Sequence, residues 1–315
     1  LPNGLVVALQ NTPTETAAVE LRVNYGPSHQ QLGEEGIAHY LEHCLASAGS
    51  ATYDPATAHK IWSGFSYTNA FTSRGRTWFE GNLLQEEVES WLKYVADHAL
   101  NPRFDSEKVE QERQRVLREI ADDKSNPLHG ARMEFQTEFY GSHPKGIYVL
   151  GSEEVVKTAD VAKLRAFHSR GYHPNNMDLF IAGKIPDNVE DIIEKNFGKA
   201  RKGENTRRDF PERKWSQDAR VIHRYAPEIK NVECLDESSA QIMLLSEAPL
   251  EKNPDNFAFR AMSNVLGGGL HSRLFQHMSQ RKGLAYRVGT TVDDSYGIGE
   301  FRVDATVPSK RIDEA

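Results

Sequence analysis

Cysteine is nearly absent: Cys44 and Cys234 are the only two among 315 residues. Two thiols cannot make a disulfide framework or a zinc ribbon. No apolar run approaches the ~18 residues of a membrane-spanning helix, so the reading is a soluble chain with no membrane span. Basic residues are not in excess, since 38 Lys and Arg face 45 Asp and Glu for a net charge of −7. That balance argues against nucleic acid as a partner. G-x-S-x-G, P-loop and G-x-G-x-x-G motifs are missing from the contexts that would make them informative. The first residue is Leu1, not Met, and no signal-type apolar segment follows.

The remaining composition, 38% hydrophobic and 26% charged, is that of a globular protein. The length suits one large domain or two ordinary ones. Residues 5–9 and 18–23 read as strands, joined by a turn around Thr12-Pro13-Thr14. Residues 34–46 switch to helical period, with Ile37, Leu41, Cys44 and Leu45 on one stripe. Cys44 is therefore expected in the core. Phe65 to Leu84 reads as two strands turning at 73–76. Helices are expected at 86–99 and 105–122, the second capped by Asp105 or Ser106. A helix near 158–170, a strand at 177–182 and a helix at 186–196 follow.

Residues 199–214 interleave basic pairs with Gly, Glu and Pro and read as a solvated linker. Beyond them strands (240–247, 286–293, 298–306) and helices (254–265, 271–281) begin again, with Gly267-Gly268-Gly269 as a turn. The fold class is α+β in two domains, with boundaries expected at 1–198, 199–218 (linker) and 219–315. The last residues read as the start of a helix, so the second domain is expected to be incomplete.

The chemistry-bearing segment is His39-Tyr40-Leu41-Glu42-His43, an H-x-x-E-H pattern. At 3.6 residues per turn, His39 and His43 stack on one helix face and can meet one metal ion. Glu42 lies beside them and can reach a metal-bound water without being a ligand. The three fall within about a 100° arc opposite the apolar stripe. Such a pattern also arises by chance in a chain with 12 histidines, so a third ligand is required. Glu112 and Glu119 are seven residues apart, about 20° around a helix axis. They fit either a ligand face or a solvated one.

These residues resemble the pitrilysin/insulinase family of zinc peptidases, in the branch of short subunits that includes mitochondrial processing peptidase. In that family H-x-x-E-H precedes an E-R-x-x-x-x-x-E helix, matched here by Glu112-Arg113 through Glu119. Leu1-Pro2-Asn3-Gly4-Leu5, Asn69-Ala70-Phe71-Thr72-Ser73, Tyr172 to Met177, Leu266 to Gly269 and Gly283-Leu284-Ala285-Tyr286 are similar to further family segments.

The resemblance implies two related α/β-roll domains forming one clamshell half. It implies one Zn2+ per chain held by His39, His43 and Glu119, with Glu42 as general base and Glu112 supporting catalysis. It implies endopeptidase activity on peptides or unfolded segments. Asn69 and Ala70 would lie on an edge strand that binds substrate backbone, and Tyr286 would contact substrate. Short members pair as homodimers or with a related subunit. The bacterial cytoplasm, the periplasm and the mitochondrial matrix all suit such a protein. The alternative is a non-catalytic or partner-dependent peptide-binding subunit. Two positions depart from the family: Ser279 stands where an arginine usually accompanies Tyr286, and Gly75 where a glutamate is usual. Ser279 makes a partner that supplies the substrate clamp plausible.

Overall fold

Alternating buried and solvent-facing residues build the first sheet. In β2 (Thr16–Val23), Ala17, Val19, Leu21 and Val23 are buried while Glu20 and Arg22 are half-buried on the other face. Strands β3 (Thr68–Ser73) and β4 (Arg76–Leu84) form a hairpin through Arg74-Gly75. A computed structural model describes residues 1–125, 127–141, 143–207 and 238–315. Much of the expected 199–218 linker, and Cys234, lie outside the described residues.

The described residues divide into two compact units. The first comprises residues 1–122 and 147–207, and the second 123–146 and 238–315. Residues 123–146, drawn with the first domain from sequence, thus cluster with the second unit.

In the first unit, β1 (Val6–Asn11) and β5 (Met177–Gly183) complete a five-stranded sheet of order β1-β5-β2-β4-β3. β1 runs parallel to β5, and every other pairing is antiparallel. The expected turn between β1 and β2 therefore does not close a hairpin. Residues 12–15 cross over β5, two strand spacings or ~10 Å. Leu179 and Ile181 of β5, both buried, take the central place that consecutive strands would otherwise share.

Helices α1 (Ile37–Ser47), α3 (Val88–Leu100), α4 (Ser106–Ser125), α7 (Val161–Gly171) and α8 (Val189–Phe197) contribute to the core of this unit. Leu41, Trp91, Val116, Phe167 and Ile193 join Leu21, Phe79 and Leu179 in one apolar cluster. Cys44 is buried in it as well. Asp105 Oδ1 accepts from the Lys108 amide and caps α4.

Three α-helices among the described residues escaped the sequence reading. Helix α2 (Pro55–Trp62) starts at Asp54, whose Oδ1 accepts from the Ala56 and Thr57 amides at 3.0 Å each. Helix α5 (Pro127–Tyr140) belongs to the second unit, and the short helix α6 (Glu153–Thr158) precedes α7.

The second unit carries a three-stranded antiparallel sheet, β6 (Ser239–Glu247), β8 (Glu300–Pro308) and β7 (Arg287–Asp293), in that spatial order. Helix α9 (Asn256–Gly267) and a π-helical stretch, Phe275–Arg281, accompany it. The expected 271–281 helix is thus largely π-helical, and it includes Ser279. The Tyr140 hydroxyl donates to Glu300, and Lys145 pairs with Asp293 at 3.2 Å, fixing the end of α5 to this sheet.

Helix α1 begins where two backbones almost touch. Gly36 has φ +100° and Gly151 φ +77°. A Cβ on Gly151 would stand 2.1 Å from the Gly36 nitrogen. The chain passes α1 there only because neither residue carries a side chain. Gly151→Ala is expected to destabilise the first unit by about 2 kcal/mol or more, through both the clash and the left-handed backbone. Chemical denaturation of the variant against wild type measures that loss.

Candidate metal and catalytic site

Two helices bring the site together. At the start of α1, the Gln30 side chain caps the helix, its Oε1 accepting from the Gly36 amide at 3.2 Å and the Ala38 amide at 2.9 Å. The Tyr40 hydroxyl donates to the Val109 carbonyl at 2.7 Å, and the Ser47 hydroxyl donates to Glu112 Oε1 at 2.8 Å. These contacts tie both ends of α1 to α4.

His39 and His43 then face Glu119. His39 Nε2 and His43 Nε2 each lie 3.5 Å from Glu119 Oε2. The two imidazoles stand edge to face with centroids 4.7 Å apart. One donor atom from each of the three residues falls within 4.8 Å of the other two. The Glu119 side chain is 46% exposed and leaves the group open on one side.

Behind His43, Glu112 is buried at 2% exposure, and its Oε2 lies 3.4 Å from His43 Nδ1. Arg115 Nη1 donates to Glu112 Oε1 at 3.0 Å. A carboxylate on Nδ1 fixes the ring and leaves Nε2 for an ion. His39 Nδ1 is buried with no hydrogen-bond partner among the described residues, so only its Nε2 faces a partner. Two imidazole nitrogens and one carboxylate oxygen are a donor set suited to zinc. The residues present therefore fit the ion that the resemblance implies.

Glu42, 8% exposed, points its Oε2 to Thr72, whose hydroxyl donates at 2.8 Å. Among the described residues, Oε1 takes no hydrogen bond. Burial pushes the Glu42 carboxyl up to about 7, against the opposing pull of His43 and the Thr72 hydrogen bond. Burial, and then the neighbouring His43, hold His39 down at about 4. Burial also acts to lower His43, yet hydrogen bonds to Glu112 and Glu119 and the charge of Glu42 carry it up to about 10. Burial raises Glu112, but the hydrogen bonds from His43 and Ser47 outweigh it and the carboxyl titrates below its usual range. Unequal protonation of two adjacent imidazoles is the response of protein charges alone, since metal binding requires both nitrogens unprotonated.

Asn69 and Ala70 sit on β3, the edge strand of the first sheet, with Asn69 exposed and Ala70 half-buried. The Ala70 amide donates to Asn69 Oδ1 at 2.9 Å. Tyr286 belongs to the second unit, where its side chain is 95% exposed. Sequence reasoning passed over Gln30, Ser47 and Thr72. Thr72 was within reach, because it shares a strand face with Ala70 at a spacing of two. Ser47 was as well, one helical turn after His43.

Residues 5–153 match the family model for "Insulinase (Peptidase family M16)", and residues 158–315 match "Peptidase M16 inactive domain". A protein of Rickettsia bellii named an uncharacterized zinc protease is 28% identical over 99% of this chain and 74% of its own length. One of Mycobacterium leprae, also named an uncharacterized zinc protease, is 31% identical over 93% of this chain and 65% of its own. The crystal structure of a protease from Helicobacter pylori shares the fold, with a TM-score of 0.81 at 21% identity, covering 98% of this chain and 73% of that one.

Replacing His39, His43 or Glu119 by Ala is expected to leave the protein with little bound zinc, measured as metal content after dialysis. Glu112→Gln is expected to weaken zinc about 10–100-fold, because the His43 ring loses its anchor.

Proposed function

This chain belongs to the M16 peptidase family, and we propose that it is a zinc-dependent endopeptidase. One observation carries that reading: His39, His43 and Glu119 converge while Glu42, buried beside them, keeps one carboxylate oxygen unengaged among the described residues. His39, His43 and Glu119 are the residues that hold the ion, and Glu112 orients His43. Zinc bound there supplies Lewis-acid polarisation and makes a water acidic enough to attack at neutral pH.

Glu42 takes the proton of the attacking water at Oε1 while Thr72 holds Oε2. It then passes that proton to the departing amine nitrogen. The seclusion of Glu42 keeps bulk water from competing for its charge. The free edge of β3 at Asn69 and Ala70 takes an extended peptide by strand addition, in which main-chain hydrogen bonds dominate and sequence tolerance is broad. Tyr286 is assigned to substrate contact on the family resemblance. The protein works as a dimer, with a second copy or a related subunit, in keeping with Ser279 in place of the family's arginine.

H-x-x-E-H occurs once in the chain, in the half that matches the peptidase model, and the half that matches the inactive-domain model has none. The chemistry accordingly belongs to the first unit.

Glu42→Gln tests the assignment. The variant is expected to bind zinc as wild type does and to lose about 10²–10⁴-fold in hydrolysis of unstructured peptides. Wild-type turnover by Glu42→Gln overturns the general-base role.

A further inference from the structure

Glu42 is held from an unexpected direction. Among the described residues its side chain is hydrogen-bonded not by its helix neighbours but from β3, 30 residues along the chain. Thr72 Oγ1 lies 2.8 Å from Glu42 Oε2 and 3.3 Å from Thr77 Oγ1. Thr77 is fully buried on β4, directly opposite Thr72 in the β3–β4 register.

The proton count fixes the direction of this chain. An ionised carboxylate can only accept, so Thr72 must donate its single hydroxyl proton to Glu42. The Thr72 oxygen is then an acceptor, and Thr77 donates to it. Each hydroxyl polarises the next, which strengthens the terminal bond to the carboxylate. The cross-strand pair thus forms a two-hydroxyl relay that ends on one oxygen of Glu42 and leaves the other for water.

With Glu42 read as the base, as above, we propose that Thr72 and Thr77 are positioning residues that fix the Glu42 carboxylate for proton transfer. Thr72 also stands on the strand whose free edge is offered to the peptide, two residues from Ala70. A substrate strand laid on β3 is consequently in fixed register with the side chain that holds the base. Misplacement of a reacting group by ~1 Å costs about 10²-fold in rate, so this one hydrogen bond is a lever on turnover.

The test compares Thr72→Val, Thr72→Ser and Thr77→Val with wild type and Glu42→Gln, on one unstructured peptide, with bound zinc measured in each. Valine keeps the shape and strand preference of threonine and removes only the hydroxyl. Thr72→Val is expected to lose about 10–100-fold in kcat, with KM and zinc content near wild type. Thr72→Ser, which retains the hydroxyl, should recover most of that rate. Thr77→Val should lose less than Thr72→Val, and adding Thr72→Val to Glu42→Gln should cost nothing further.

A second readout does not depend on turnover. A double-mutant cycle of Thr72→Val and Glu42→Leu in chemical denaturation should show a coupling of about 10–150-fold in the folding equilibrium, the size of a hydrogen bond to a charged group. A Thr72→Val enzyme with wild-type kcat, beside an inactive Glu42→Gln, overturns the proposal and spares the general base. So does a loss confined to KM, or a cycle with no coupling. Wild-type turnover by Glu42→Gln overturns both.

Discussion

The docking of α1 against α4 is the constraint on which the site depends. His39 and His43 are one helical turn apart by construction, but Glu119 comes from another helix and must be delivered within about a side chain's length of both. That distance is set by Tyr40 on the Val109 carbonyl, Ser47 on Glu112, and Glu112 on His43. Glu112 is the hinge of the arrangement. It is almost fully buried, and it engages His43, Ser47 and Arg115 together. A buried carboxylate with that many donors cannot rotate without leaving some of them unpaired. The same residue that fixes the ring of His43 therefore also fixes the separation of the helices.

The sheet contributes at its edge rather than at its centre. β3 lies at one end of the strand order, packs its Thr72 side toward α1, and leaves its other flank without a strand partner in the first sheet. An exposed edge is ordinarily a liability that proteins shield with charge or a bulge. Here the edge strand carries Thr72, the residue that holds the buried carboxylate of Glu42, so edge and site are parts of one strand.

Much of this was legible in the sequence. The H-x-x-E-H spacing implies one helix face by geometry alone, and strands with strict alternation, such as 16–23 and 76–84, announce themselves. Glu119 was not fixed by spacing, because a charged helix face looks the same whether it meets solvent or an ion, and only the resemblance separated the two. Helix α2 was hidden for a different reason. It buries only Ala58 and so has no apolar period, although the Asp54-Pro55 cap and first-turn pair signalled it. The place of β5 between β1 and β2 was invisible, since strand order is decided by which apolar segment takes the centre and not by any local pattern. Gln30 gave no such sign, because a polar side chain ahead of a helix declares no partner until the backbone has folded.

That central position of β5 also sets an order of events. β1 and β2 are made early, yet they hydrogen-bond to β5 and not to each other, and β5 ends at Gly183. While the ribosome is still short of that residue, the histidines and glutamates of the site have all been synthesised but the sheet beneath them lacks its middle. Contacts separated by so much chain form slowly. A nascent chain of this protein thus carries His39, His43 and Glu119 before the sheet that underlies them is whole, and their assembled cluster is a late product of biosynthesis.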